Sequence, residues 1–181
     1  MRIVAGDWRG RSLTAPSGAG TRPTADRVRQ ALFDMLMHAP WAGRPIIEGA
    51  SVLDCFAGTG ALGLEALSRG AARAVFVERD RSALAALRAN IAACRAGDRC
   101  VVLPIDMLTV PSGERADIAF LDPPYGQDLI ARALTRLRVM QRVGTGTLIV
   151  AEMGREESAP KFELLVDRTH GAARVTIWRE E

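Results

Sequence analysis

Apolar residues fall in short runs along this chain, each stopped by an acid, a glycine or a proline. Ser51–Asp54, Ala74–Glu78, Cys100–Ile105, Ile118–Leu121 and Thr147–Ala151 have the length and composition of buried strands. Between them, Ala61–Ser68, Arg81–Cys94 and Leu129–Gln141 carry apolar residues at the spacing of a helix with one buried face. Gly70 and Gly97 follow two of these patterns, where C-terminal caps belong. Alternation of this kind predicts a parallel sheet with helices on both faces. The tail differs. Phe162–Val166 and Arg174–Trp178 are joined by Asp167–Ala173, too short for a crossover helix, so they predict an antiparallel hairpin and bring the strands to seven.

Upstream of this pattern, Val28, Leu32, Met35 and Leu36 share one face of a helix predicted over Ala25–Met37, with Thr24 placed as its N-cap. Ile3-Val4-Ala5 and Ser12-Leu13-Thr14 flank the glycine-bounded Gly6–Arg11, which predicts a β-hairpin with Trp8, Arg9 and Arg11 at its tip. Pro16–Gly20 reads as a link and Pro40–Gly49 as a loop. We therefore expect a small N-terminal hairpin extension over 1–20 and one α/β domain over 21–181.

At 181 residues, 48% hydrophobic and 25% charged, the chain has the totals of one ordinary globular domain. Its apolar runs are shorter than a membrane span, and Met1-Arg2-Ile3-Val4 does not begin a signal peptide. Cys55, Cys94 and Cys100 are odd in number and lack paired metal spacing, which points to reduced thiols, a cytoplasmic location and no metal. Neither His38 nor His170 stands in a motif that would make Cys55 a nucleophile. The positive charge lies at one end: residues 1–45 hold seven arginines against three aspartates. Arginine suits bidentate phosphate contact, so a nucleic-acid partner is expected there. We expect a monomer.

Ser51–Asp54 feeds Gly58-x-Gly60-x-x-Gly63, a glycine turn opening a helix, where α/β sheets bind nucleotide-like ligands. Glu78, ending the second strand, can accept from the hydroxyls of a ribose lying across the sheet. These features suit a nicotinamide dinucleotide and S-adenosylmethionine alike. Asp54 tilts the balance, because a carboxylate at the turn repels a pyrophosphate and attracts the ammonium of a methionine moiety. Asp106, closing the third strand, either accepts from an adenine amino group or caps the strand end.

A second signal, Asp122-Pro123-Pro124-Tyr125, follows the fourth strand. Two prolines fix the loop and remove its N–H donors, leaving carbonyl acceptors, a carboxylate and a flat ring. That set suits the exocyclic amine of a nucleobase: Asp122 and the Pro123 carbonyl take its hydrogens, and Tyr125 stacks on the ring. The amine lone pair, otherwise spread into the ring, is then aimed at a methyl donor.

Asp54-x-Phe56-x-Gly58-x-Gly60 with Asp122-Pro-Pro-Tyr125 resembles the class I S-adenosylmethionine-dependent amino methyltransferases, a Rossmann-like fold. Adding Gly6–Arg11, the stretch from Thr21 to Phe33 and Gly58–Ala71, the chain resembles the RsmD family from Arg2 to about Gly126. The resemblance implies methylation of a guanine N2 amine in bacterial small-subunit ribosomal RNA, with ribosomal RNA or the small subunit as partner. It further implies that Arg22, Thr24 and Arg27 close over the cofactor and that Arg9 and Arg11 grip RNA backbone. Helix capping alone would also account for Thr24, and a solvated hairpin tip for Arg9 and Arg11. Two other readings compete: an NAD(P)-dependent oxidoreductase on the glycine turn, and a non-catalytic RNA-binding assembly factor on the arginines.

Overall fold

The computed structural model describes residues 1–16, 23–42, 46–124, 128–154, 163–170 and 173–181. Arg22 and Tyr125 lie outside them. Seven strands form one sheet in the order β3-β2-β1-β4-β5-β7-β6. These are β1 Ser51–Asp54, β2 Arg73–Val77, β3 Cys100–Leu103, β4 Ile118–Leu121, β5 Leu148–Gly154, β6 Leu164–His170 and β7 Ala173–Arg179. The first five pair in parallel, and β7 runs antiparallel to both β5 and β6. The expected seven-stranded, mostly parallel sheet with an antiparallel C-terminal hairpin is the observed one.

Alternation along the strands sends side chains to two cores. Val52, Phe76, Phe120, Val150 and Ile177 face a core completed by α1 (Pro23–His38), α2 (Ala61–Ser68) and α3 (Arg81–Ala93). Leu53, Ala119, Leu121, Ile149, Ala151 and Trp178 face the other, covered by α4 (Leu129–Val139) through Ile130, Ala133, Leu134 and Leu137. Helices thus cover both faces. The Phe33 and Phe120 rings, 5.7 Å apart, pin α1 to the sheet.

Several boundaries move for local reasons. The first helix begins at Pro23, whose fixed φ suits the first helical position, so Thr24 sits inside the helix and not at its N-cap. Strand β3 stops at Leu103, since Pro104 has no N–H for the ladder. The turn after α3 is made by Arg95 at φ 52°, not by Gly97, which enters a single 3-10 turn. The C-terminal hairpin is longer than expected, because Asp167, Arg168 and Thr169 continue the ladder opposite Thr176, Val175 and Arg174. An Asp167–Arg174 ion pair at 2.6 Å lies across it.

The N-terminal segment is closed by a single antiparallel bridge, Arg2 to Ser12, and not by an extended hairpin ladder. Its backbone amides go elsewhere. Val4 N–H and Ala5 N–H donate to the two oxygens of Glu65 at 2.8 and 3.0 Å, and Trp8 N–H donates to Ser68 Oγ at 3.0 Å. Glu65, on α2, has no solvent-exposed surface and is also held by Arg69 Nε at 2.8 Å and Arg29 Nε at 3.6 Å. With Ile3 and Leu13 in the first core, residues 1–14 are built into the domain. Arg69 also lies 3.4 Å from Asp34. Because Arg29 meets Glu65 and Asp34 meets Arg69, α1 and α2 run the same way, with both N-termini toward the carboxyl edge of the sheet.

Glu65→Ala leaves Arg29 and Arg69 without their buried counter-charge and two amides without an acceptor. It is expected to cost about 3–5 kcal/mol in urea unfolding. Hydrogen exchange at Val4 and Ala5 should rise with it. A loss below about 1 kcal/mol would show that the carboxylate does not tie the segment down.

Candidate functional site

Strand β1 lies at the centre of the parallel sheet, between β2 and β4, and its carboxyl end is where the crossovers part to either side. Ligands of open α/β sheets bind at such switch points. The pairings Asp54↔Phe76 and Asp54↔Phe120 put these residues at one height, so Glu78 and Asp122 follow two residues beyond on the same face. The ladder between β4 and β5 ends at Leu121↔Ala151, which makes Asp122 and Glu152 the next rung. Four carboxylates therefore meet at one edge of the face covered by α1, α2 and α3. Of these, Glu152 was not anticipated, although an acid directly after an apolar run is the signal that marked the other three.

The glycine turn is shaped by its neighbours. Gly60 has φ 78°, and a Cβ there would come within 2.4 Å of Leu87 Cδ1. At Gly63 a Cβ would meet the Phe76 ring at 2.3 Å, so α2 packs directly on β2. Gly58 differs: it has φ 52° and open space where a Cβ would be, which leaves one side of the turn free for a ligand. Phe56 packs half-buried against the second core. Asn90, 1% exposed, donates to Thr59 O at 2.9 Å and to Thr14 O at 3.0 Å, and accepts from Thr14 N–H at 2.7 Å. One buried amide thus ties the turn to the N-terminal segment.

The acids have distinct surroundings. Asp54 is 2% exposed and accepts Gly63 N–H at 3.0 Å, satisfying an amide of the first turn of α2. Burial pushes its pKa up to about 7, with the Gly63 hydrogen bond opposing the rise and the Glu78 charge adding to it. Glu78 accepts Gly58 N–H at 2.7 Å on one oxygen, and Arg79 and Asp80 N–H at 2.7 and 2.8 Å on the other. Asp106 caps the turn at Met107–Thr109 through Leu108 N–H at 2.8 Å and pairs with Arg79 at 2.5 Å.

Asp122 stands at the crevice mouth. Walling by surrounding protein, then the charges of Glu152 and Asp54, raise its pKa, although its side chain keeps exposed surface. Pro123 is buried beside it. Cys55, buried below, has its thiol pushed far up by burial and by Asp54, so it is no nucleophile at neutral pH.

Of the predicted RNA contacts, Arg9 is exposed, whereas Arg11, also exposed, reaches back to the Ala93 carbonyl at the end of α3. Trp8 stacks under the Arg99 guanidinium at 4.9 Å. Arg27 is exposed near the start of α1, while Arg29 is buried on Asp26 and Glu65.

A family model described as "Conserved hypothetical protein 95" matches residues 1–179. The "Ribosomal RNA small subunit methyltransferase D" of Escherichia coli K12 is 41% identical over 161 residues, covering 88% of this chain and 78% of that protein. Its Haemophilus influenzae namesake is 33% identical over 187 residues, covering 99% and 93%. The solved Escherichia coli protein yhhF superposes with a TM-score of 0.86 at 36% identity, covering 100% of this chain and 98% of that one.

The raised pKa of Asp54 fixes the sign of a pH effect. Between about pH 4 and pH 7 the folded state holds a proton that the unfolded state has lost, so this group's contribution to stability falls as pH rises. Asp54→Asn keeps an acceptor for Gly63 and removes that slope, which is at most about 1.4 kcal/mol per pH unit. Urea unfolding at pH 5 and pH 8 should show a smaller difference for the variant than for the wild type. Equal differences would mean that Asp54 is ionised throughout.

Proposed function

The chain belongs to the RsmD family, and from that premise we propose that it transfers a methyl group from S-adenosylmethionine to the N2 amine of a guanine in small-subunit ribosomal RNA. One observation carries the reading: an open glycine turn flanked by clustered carboxylates at the sheet's switch point, two of them with raised pKa values. Such a site is short of positive charge. It suits a ligand bearing an ammonium and a sulfonium and opposes the pyrophosphate of a nicotinamide dinucleotide.

The residues present fit that cofactor. The open side of Gly58 leaves room against the backbone, and Asp54 and Asp122 provide the negative potential for the cationic end. The N-termini of α1 and α2 both face the crevice edge and favour a carboxylate there, the part we give to Thr24, Arg22 and Arg27 at the start of α1. Three of the roughly four acceptor sites of Glu78 are filled by backbone amides, so a ribose diol engages the remaining one and competes with Gly58 N–H for another. Asp106 keeps lone pairs for an adenine amino group without giving up its cap. The cofactor supplies an electrophilic methyl group on a positively charged sulfur.

In this reading Asp122 and the Pro123 carbonyl hold the two amine hydrogens, and Tyr125 stacks on the base for about 1–3 kcal/mol. Holding both hydrogens turns the nitrogen lone pair out of the ring toward the methyl group, and the Asp122 charge stabilises the positive nitrogen as it forms. A carboxylate with a raised pKa is also a better proton acceptor, so Asp122 can take the proton before it passes to water. Presenting the amine here requires the guanine to leave its stack, at a cost of a few kcal/mol unless it is already unpaired.

Calorimetry should detect S-adenosylhomocysteine binding, and undermethylated small subunits should take up a tritiated methyl group. Asp122→Ala should cut that labelling on the order of 100-fold or more with cofactor affinity kept. Binding of NAD without S-adenosylhomocysteine would overturn the reading in favour of an oxidoreductase. Cofactor-free RNA binding without labelling would favour an assembly factor.

For the RNA interface, Arg9→Ala with Arg11→Ala should weaken RNA binding and lower the slope of log K against log salt by about 1–2. Cofactor affinity should not change. An unchanged slope would place the RNA elsewhere.

A further inference from the structure

The pair Asp122–Pro123 can hold any nucleobase amine, since both residues touch only its hydrogens. Adenine and cytosine carry such amines as well, so the choice of base must come from a neighbouring group. The three bases differ one atom away. Beside its amine guanine has a donor, N1–H, whereas adenine at N1 and cytosine at N3 present a lone pair. A reader of guanine therefore needs a second acceptor next to the one on the amine.

Glu152 is so placed. It is the rung after Leu121↔Ala151 on β5, beside Asp122 on β4, with the strands about 4.8 Å apart. Val150, two residues earlier, faces the same core as Phe120, two residues before Asp122, so both carboxylates leave the sheet on the crevice side. Glu152 is half-exposed, and its charge is felt at Asp122. On its other flank it pairs with Val175 of β7.

We propose that Glu152 accepts the N1–H of the target guanine and thereby selects guanine over the other amine-bearing bases. This rests on the guanine-amine reading above and adds the residue that enforces it. Two adjacent carboxylates meet two adjacent donors. Against adenine or cytosine the second carboxylate faces a lone pair, which costs binding and misplaces the amine.

The test replaces the target guanine, once located by mass spectrometry, with 2-aminopurine, which keeps the amine but has a lone pair at N1. For the wild type, kcat/KM should fall on the order of 10- to 100-fold on the substituted RNA. Glu152→Gln offers an amide that can donate to that lone pair, so the ratio between the two RNAs should narrow about tenfold. Glu152→Asp should keep the wild-type preference. S-adenosylhomocysteine affinity, measured by calorimetry, should be the same in all three proteins. If Glu152→Gln proves inactive on both RNAs, the ratio is read from their Kd values in competition. A ratio equal to that of the wild type overturns the role of Glu152 while leaving the methyltransferase reading intact. Failure of the wild type to methylate even the guanine RNA overturns the underlying reading instead.

Discussion

Like charges gathered at one edge of a sheet must be compensated, and the rest of this site follows from how that is done. Asp54, Glu78 and Asp122 stand at or just past the carboxyl ends of three strands, with Glu152 level with them on β5; burial first, and then the neighbouring carboxylates, raise Asp54 and Asp122. Asp54 is steadied by a helix amide and Glu78 by three loop amides, so these two shape the backbone on which a ligand would lie. Asp122 keeps solvent on one side and faces the crevice. The acids thus divide into those that build the turn and those placed to meet a substrate. A cationic ligand relieves the repulsion in both groups at once.

A second buried carboxylate organises the other end of the domain. Glu65 draws together α1, α2 and the N-terminal segment, taking hydrogen bonds or ion pairs from Val4, Ala5, Arg29 and Arg69. Such a centre contributes less net stability than its partners suggest, because two arginines and a carboxylate leave water to form it. What it provides is a single placement of the basic segment. Asn90 extends that placement to the glycine turn, so the arginine-bearing loop and the crevice share one rigid frame.

The architecture was readable because it rests on hydrophobic period. Buried strands in parallel sheets are short and apolar, and the apolar run of several gives way to an acid, as at Leu53-Asp54 and Leu121-Asp122. Polar residues on helices carry no such mark. Asn90 falls on the buried face of α3 with Ala83, Ala86 and Leu87, and Glu65 on a short helix buried over residues 63–68, but the amides they hold lie sixty or more residues away and leave no mark in the local pattern. The function of Asp54 as a helix cap was hidden for a related reason: its partner is the amide of Gly63, nine residues on. At Arg95 a non-glycine residue took the left-handed turn, against local preference. The hairpin end was set by cross-strand pairing such as Asp167 with Arg174, which a single strand does not display.

The contacts that seat the first residues span long stretches of chain. Val4 waits for Glu65, and Thr14 waits for Asn90, 76 positions later. A polypeptide emerging N-terminus first therefore exposes this arginine-bearing stretch, undocked, until half the chain has been synthesised. The stretch left waiting is one whose positive charge would cling to any nearby polyanion, the translating ribosome included. Release from such early encounters depends on α2 and α3 forming to capture it, so translation speed through residues 61–93 governs how soon the newborn N-terminus is safely put away.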